Sequence, residues 1–287
     1  MTQSAPDRPT LAGALRHATG LGLARLDVHM LLLHALGRSP HDRAWLLAHE
    51  GDALDDATQT GFETALQRRL RGEPLAYITG HQEFYGLVLQ VDRRVLCPRA
   101  DTETLVDWAL DLLPPAARVL DLGTGSGAIA LAIKHQRPDV QMHARDFSAD
   151  ALAVAQANAQ QLGLDVEFSQ GSWLAGLSGL FDTIVSNPPY IAAADPHLAA
   201  LTHEPLQALA SGADGLDDLR IIIRQASACL KHGGWLLLEH GYDQAQAVCD
   251  LLRGAGFTAV QSRPDLAGIA RCSGGRWPGR GLTETAT

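Results

Sequence analysis

The sequence predicts an α/β fold, a mostly parallel sheet with an antiparallel last strand, preceded by a small helical bundle. Three observations carry this expectation. Residues 118–254 alternate short apolar runs with runs of helical period, as in a parallel sheet covered on both faces. A glycine loop, Gly123-Thr124-Gly125-Ser126-Gly127, stands between the first apolar run and the first helical one. Residues 11–75 show helical spacing alone, interrupted by turn residues.

Residues 1–9 read as a frayed tail. In the bundle, Leu31, Leu32, Ala35 and Leu36 form one apolar run, Trp45, Leu46 and Leu47 a second, and Phe62, Ala65 and Leu66 a third. Gly37, Ser39-Pro40 and Gly51 punctuate them. The bundle histidines (His17, His29, His34, His41, His49) are scattered, which suits packing or surface roles better than metal ligation. Gly72-Glu73-Pro74 ends the helical run. Tyr77-Ile78-Thr79-Gly80-His81 and the run from Phe84 to Val91 are rich in aromatic and β-branched residues and read as a β-hairpin. Residues 102–113 form an amphipathic helix closed by Pro114-Pro115. Strands follow at Arg118–Leu122, 140–144, 165–169, Phe181–Ser186 and 234–239, and helices at 128–135, Ala149–Leu162, 217–230 and 243–254. A final antiparallel pair starts at Val260, and the residues from Arg276 onward read as disordered. The expected division is a helical substrate-binding domain over 1–76, a hairpin linker over 77–97 and a cofactor-binding catalytic domain over 98–287.

Composition narrows the function. With 46% hydrophobic and 19% charged residues, the chain can build a core without a metal or disulfide staple. Cys97, Cys229, Cys249 and Cys272 form no CxxC pair, so reduced thiols in the cytoplasm fit best and no metal is expected. The first ten residues lack the apolar core of a signal peptide, and Leu31-Leu32-Leu33 is too short to span a bilayer. The net charge is −9, of which residues 1–80 carry only −1. With Lys134 and Lys231 as the only lysines, a stable nucleic-acid partner is not expected.

The motifs cluster at strand ends. Glycines let the backbone turn sharply and approach a ligand closely. Asp146 lies 19 residues past Gly127, where a carboxylate accepts hydrogen bonds from ribose hydroxyls. The alternative makes it an N-terminal charge for the next helix, with Ser148 as cap. Matched spacing of loop and acid favours ribose. The loop lacks the Gly-Lys-Ser/Thr ending of a P-loop and the third-glycine spacing of a dinucleotide loop. Asp121, just before it, would repel a pyrophosphate and favours a ligand with cationic groups, as S-adenosyl-L-methionine is. Trp173 either flanks an adenine ring or is a core or loop aromatic. After the strand at Phe181–Ser186 come Asn187-Pro188-Pro189-Tyr190. The prolines fix φ and hold Asn187 in an extended pose, with an amide free to grip another planar NH2 group and an aromatic face close by.

The DLGTGSG and NPPY runs resemble class I S-adenosylmethionine-dependent methyltransferases, with a Rossmann-like fold. NPPY occurs there in enzymes acting on adenine, guanine or protein glutamine. From about residue 11 to about 276 the chain is similar to the protein-(glutamine-N5) methyltransferases that modify peptide-chain release factors. The segment Glu73-Pro74-Leu75-Ala76-Tyr77-Ile78-Thr79-Gly80, Phe84-Tyr85-Gly86, the run from Val95 to Glu103, Glu204 to Leu209 and Leu238-Glu239-His240-Gly241 carry that likeness. Ala100, Cys97, Ser172 and Arg145 depart from the family pattern.

The resemblance implies methylation of the side-chain amide nitrogen of the Gly-Gly-Gln glutamine of class 1 release factors, leaving S-adenosyl-L-homocysteine. The side-chain carbonyl of Asn187 and the backbone carbonyl of Pro188 would accept hydrogen bonds from the substrate NH2, with Pro189 and Tyr190 against it. Asp121, Gly123, Thr124, Gly125, Ser126, Gly127, Asp146, Trp173 and Asn187 would form the cofactor site. A monomer is expected. The alternative is an amino-methyltransferase of nucleic acid acting on adenine N6 or guanine N2.

Overall fold

A computed structural model describes residues 8–279 and divides the chain into two units, one ending at Gly80 and one beginning at His81. The first unit is helical: α1 (Leu11–Gly20), α2 (Arg25–Ala35), α3 (Arg43–Ala48), α4 (Asp56–Leu70) and α5 (Leu75–Thr79). Thr10 caps α1 and Asp55 caps α4, each side chain accepting from the backbone N–H three residues on. Leu31, Leu32, Leu33, Leu46, Phe62, Leu66 and Ile78 close its core.

Tyr77-Ile78-Thr79 is helical, not the strand expected. Ala76, Tyr77 and Ile78 are buried there, and packing overrides their β propensity. Arg68 fastens the turn by bonding Glu73 and the Tyr77 carbonyl. Gly80, at φ 83°, ends the helix in the left-handed region.

The second unit opens with a true hairpin, β1 (His81–Phe84) and β2 (Leu87–Gln90). Tyr85 and Gly86 both take positive φ, as a two-residue hairpin turn requires. A 3-10 turn at Ala100–Thr102 leads into α6 (Glu103–Leu112). Alternation follows: β3 (Arg118–Leu122), α7 (Ala128–Gln136), β4 (Gln141–Asp146), α8 (Ala149–Leu162), β5 (Glu167–Gln170) and β6 (Phe181–Ser186). Then come α9 (Asp217–Ala226), β7 (Leu230–Glu239), α10 (Ala245–Gly254), β8 (Thr258–Pro264) and β9 (Ala270–Arg276).

Most boundaries shift by a residue or two, while the helix at 217 and the strand after it shift by four and the tail by more. The helix at 217 ends at Ala226, because Leu230 already pairs with Phe181 in the sheet. Arg276 is ordered: it ends β9, opposite Trp235 and Thr258, and Trp277 packs on Phe257. The remaining tail expectations, for residues 1–7 and 280–287, lie outside the described residues.

The seven-stranded sheet has the order β5-β4-β3-β6-β7-β9-β8, with β9 antiparallel to both its neighbours. One face packs on α6, α7 and the hairpin around Trp108, Leu131 and Val185. The other packs on α9 and α10 around Phe181, Ile222 and Leu252. From β3 the chain runs to β4 on one side and later returns to β6 on the other. The connections therefore diverge above the carboxyl ends of β3 and β6, opening a crevice at this switch point. No helix of the described residues is long and apolar enough to cross a membrane.

Candidate active site

A cavity of about 350 Å³ occupies that crevice. Gly123 and Gly125 from the loop after β3, Asp146 and Phe147 from the end of β4, Ser172 and Trp173 after β5, and Asn187 and Pro189 after β6 line it. The sequence-derived candidates thus split in two. Gly123, Gly125, Asp146, Trp173, Asn187 and Pro189 share the wall. Asp121, Thr124, Ser126, Gly127 and Pro188 are buried and are not among its lining residues, and Tyr190 donates its hydroxyl to Glu239.

The loop takes its shape from φ values of 69° at Gly123, 55° at Gly125 and 85° at Gly127. Nothing lies within 4 Å of where a Gly125 Cβ would stand, so the backbone there faces open space. A Cβ on Gly123 would come within 3.3 Å of the Trp173 indole, which lies over the loop. Trp173 itself holds φ 43°, a strained value for a bulky residue. Its indole N–H donates to Asp218 at 3.0 Å, and Asp218 accepts in turn from the Ser211 hydroxyl at 2.7 Å. Trp173 lines the cavity and also packs from its loop against the α9 and α10 face of the core, so the structure is compatible with both of its readings.

Asp146 serves the loop and the next helix at once. Its carboxylate accepts from the backbone N–H of Gly125 at 2.9 Å and of Ser148 at 2.9 Å, and Ser148 caps α8. Each oxygen keeps a lone pair for a ligand hydroxyl. Burial raises the Asp146 carboxyl above its usual value, opposed by those backbone bonds.

Asp121 is fully buried; Oδ2 accepts from the Thr124 hydroxyl at 2.7 Å and Oδ1 has no hydrogen-bond partner among the described residues. Burial pushes its carboxyl up to about 7. The unfolded chain holds this group near pH 4, so between about 4 and 7 the folded state binds more protons. Its contribution to stability is complete below about pH 4 and declines as pH rises toward 7. Asp121→Asn removes this titration. Urea unfolding at a series of pH values is expected to show the variant gaining on the parent as pH rises from 4 to 7; a constant difference would refute the assignment.

Asn187 donates from Nδ2 to the Thr102 hydroxyl at 3.2 Å, which leaves Oδ1 for another donor. Tyr190 donates to Glu239 Oε1 at 3.4 Å, and burial raises its hydroxyl pKa. Sequence reasoning passed over several supporting residues. Phe147 is 71% exposed beside Asp146, and an aromatic directly after the strand-end acid was its signal. Asn158 on α8 is fully buried and ties β2 to the glycine loop through Gln90 and the Ser126 carbonyl. Glu204 is buried, accepts from the Cys97 N–H and pairs with Arg99. Nothing local in the sequence announces these long-range bonds.

Arg145, a departure noted above, is 8% exposed and lines the cavity. Its Nη2 donates to the Ala175 carbonyl at 2.8 Å and its Nε has no partner among the described residues. A Cβ at Gly171 would fall 1.8 Å from Nη2. Among the described residues, no cluster of three or more His, Cys, Asp or Glu side chains is placed to hold a metal ion.

Two family models match the chain: the PrmC N-terminal domain over residues 12–80 and the methyltransferase small domain over residues 102–240. The chain is 50% identical over 272 residues to the release factor glutamine methyltransferase of Xylella fastidiosa strain Temecula1, covering 93% of this chain and 98% of that one. It is 46% identical over 291 residues to the one from Burkholderia pseudomallei, covering 97% and 100%. In fold it is similar to a methyltransferase from Pyrococcus furiosus, with a TM-score of 0.55, 17% identity, and 76% and 100% of the two chains covered.

Proposed function

This chain belongs to the release factor glutamine methyltransferase family, and from that we infer that it methylates the side-chain amide nitrogen of a release-factor glutamine with S-adenosyl-L-methionine. One observation carries the assignment of the site. The Asn187 amide and the glycine loop with Asp146 line a single cavity at the switch point of the sheet.

The residues present fit the cofactor. Gly123 and Gly125 offer backbone at close range, Asp146 keeps acceptor capacity for two ribose hydroxyls, and Phe147 and Trp173 offer apolar faces for a purine. Asp121 keeps an unpaired buried oxygen beside the loop, and a cationic ligand nearby would draw its raised carboxyl toward the charged form. The cofactor supplies a methyl group already activated on a sulfonium.

The chain's task is alignment, because an amide nitrogen is a poor nucleophile with its lone pair drawn into the carbonyl. With its NH2 end held by Thr102, Asn187 presents Oδ1 to the substrate amide. Together with the Pro188 carbonyl it accepts both amide hydrogens and favours the positive charge that builds on nitrogen. The product's extra proton leaves to water. Pro189 and the ring of Tyr190 would bound the substrate side. The helical unit would hold the release factor. Action as a monomer in the cytoplasm is the simplest setting.

Incubation with each class 1 release factor and cofactor is expected to add one methyl to the Gly-Gly-Gln glutamine by mass spectrometry; no gain on either factor would overturn the substrate. Asp146→Ala is expected to weaken cofactor binding by about 10- to 100-fold, the worth of a charge-assisted hydrogen bond. Unchanged affinity by calorimetry would remove Asp146 from the site.

A further inference from the structure

Two adjacent prolines leave the middle of Asn187-Pro188-Pro189-Tyr190 without a backbone donor. Among the described residues, neither proline carbonyl accepts a backbone hydrogen bond either. Fixed φ values stiffen the run, but ψ still swings within the extended region and aims each carbonyl. The Pro188 carbonyl is one of the two acceptors assigned above to the substrate amide. Its direction is therefore set from the two ends of the segment.

Strand β6 holds the near end. Ser186 pairs with Leu122 and Leu238 in the ladder, and its hydroxyl donates to the Leu122 carbonyl at 2.7 Å. At the far end the Tyr190 peptide is held on both sides. Its N–H donates to the Leu209 carbonyl at 3.2 Å, and its carbonyl accepts from Gln244 Nε2 at 3.0 Å.

Gln244 stands one residue before α10, and both hydrogens of its amide are spent. One goes to Tyr190 and the other to the Asp214 carbonyl at 3.3 Å, while Oε1 accepts from the Gly241 N–H at 2.8 Å. Reversing the amide would set its carbonyl against two carbonyls and its NH2 against an N–H, so its orientation is determined. Three loops meet on this one side chain: the tetrapeptide after β6, the turn before α9 and the turn after β7. Gly215 closes the joint. A Cβ there would fall 2.2 Å from the Tyr190 carbonyl oxygen and 2.7 Å from Gln244 Nε2.

We propose that Gln244 is a positioning residue for methyl transfer, anchoring the Tyr190 peptide and so aiming the Pro188 carbonyl at the substrate amide. The role rests on the activity inferred above. Gln244 does not line the cavity and acts through the tetrapeptide.

The test compares the parent with Gln244→Glu and Gln244→Met at pH 8. It reads single-turnover methylation of a release factor at saturating cofactor, cofactor Kd by calorimetry and urea unfolding. Gln244→Glu keeps an oxygen for the Gly241 N–H but loses both donors and faces two carbonyls with negative charge. Gln244→Met keeps the length and loses every bond. Both are expected to lower the rate about 10- to 100-fold with Kd within about twofold, as misplacement of a reacting group does. Gln244→Glu should be at least as slow as Gln244→Met. Lost stability alone would not move the rate of the folded, cofactor-bound enzyme. Near-parental rates in both variants would overturn the role. So would a slow Gln244→Met beside a near-parental Gln244→Glu, which would credit the Gly241 bond instead. A weakened Kd with an unchanged rate would also overturn it, by moving the effect to the cofactor. An inactive parent would overturn the activity itself, and the role with it.

Discussion

Asn187→Ala is expected to cut methyl transfer by about 10²- to 10³-fold, the loss seen when one preorganised group facing transition-state charge is removed. The fold should survive. Asn187 is only partly buried, and its one side-chain bond in the structure is to Thr102. Cofactor affinity should change little, since Asp146, Phe147, Trp173 and the glycine loop are untouched. The discriminating pattern is a large fall in turnover with near-parental calorimetric binding. Near-normal turnover on a release factor would mean that another group holds the substrate amide. Asn187→Asp sharpens the comparison: it keeps an acceptor oxygen but replaces the donor to Thr102, so partial activity would separate acceptance by Oδ1 from orientation through Nδ2.

Trp108→Ala is expected to destabilise the second unit by about 3–5 kcal/mol, the usual cost of emptying a large aromatic site in a core. Trp108 is fully buried on α6, in the core that α6 forms with this face of the sheet. Gly274 leaves it room: a Cβ there would reach within 2.9 Å of the indole. Among the described residues its N–H has no partner, so Trp108→Phe should cost far less, losing volume but also an unsatisfied donor. Urea unfolding followed by circular dichroism checks both, with the two units fitted as separate transitions. Equal losses for Phe and Ala would show that the site tolerates neither a smaller ring nor a cavity.

Much of this was legible in the sequence because the signals were local. The strand-loop-helix at Asp121 to Gly127 places its glycines where only glycine turns so tightly, and all three take positive φ. Strand β6 and its two prolines located Asn187. What escaped was set by distance. Glu204 bonds a backbone N–H 107 residues earlier, and Asn158 reaches 68 residues back to Gln90. Neither has a period or spacing to betray it. Tyr77-Ile78-Thr79 misled for the opposite reason: its composition speaks for a strand, but the burial of Ala76, Tyr77 and Ile78 and the Arg68 clasp decide for a helix. The nucleic-acid alternative had the same four-residue motif in its favour, and motif chemistry alone did not separate the two. Likeness along the whole chain did.

The Arg145 guanidinium fills the space above Gly171. A side chain at 171 would have to push that guanidinium aside, and with it the bond that Nη2 donates to the Ala175 carbonyl. The two positions thus compete for one volume in the cavity wall, and a larger residue at one is accommodated by movement at the other.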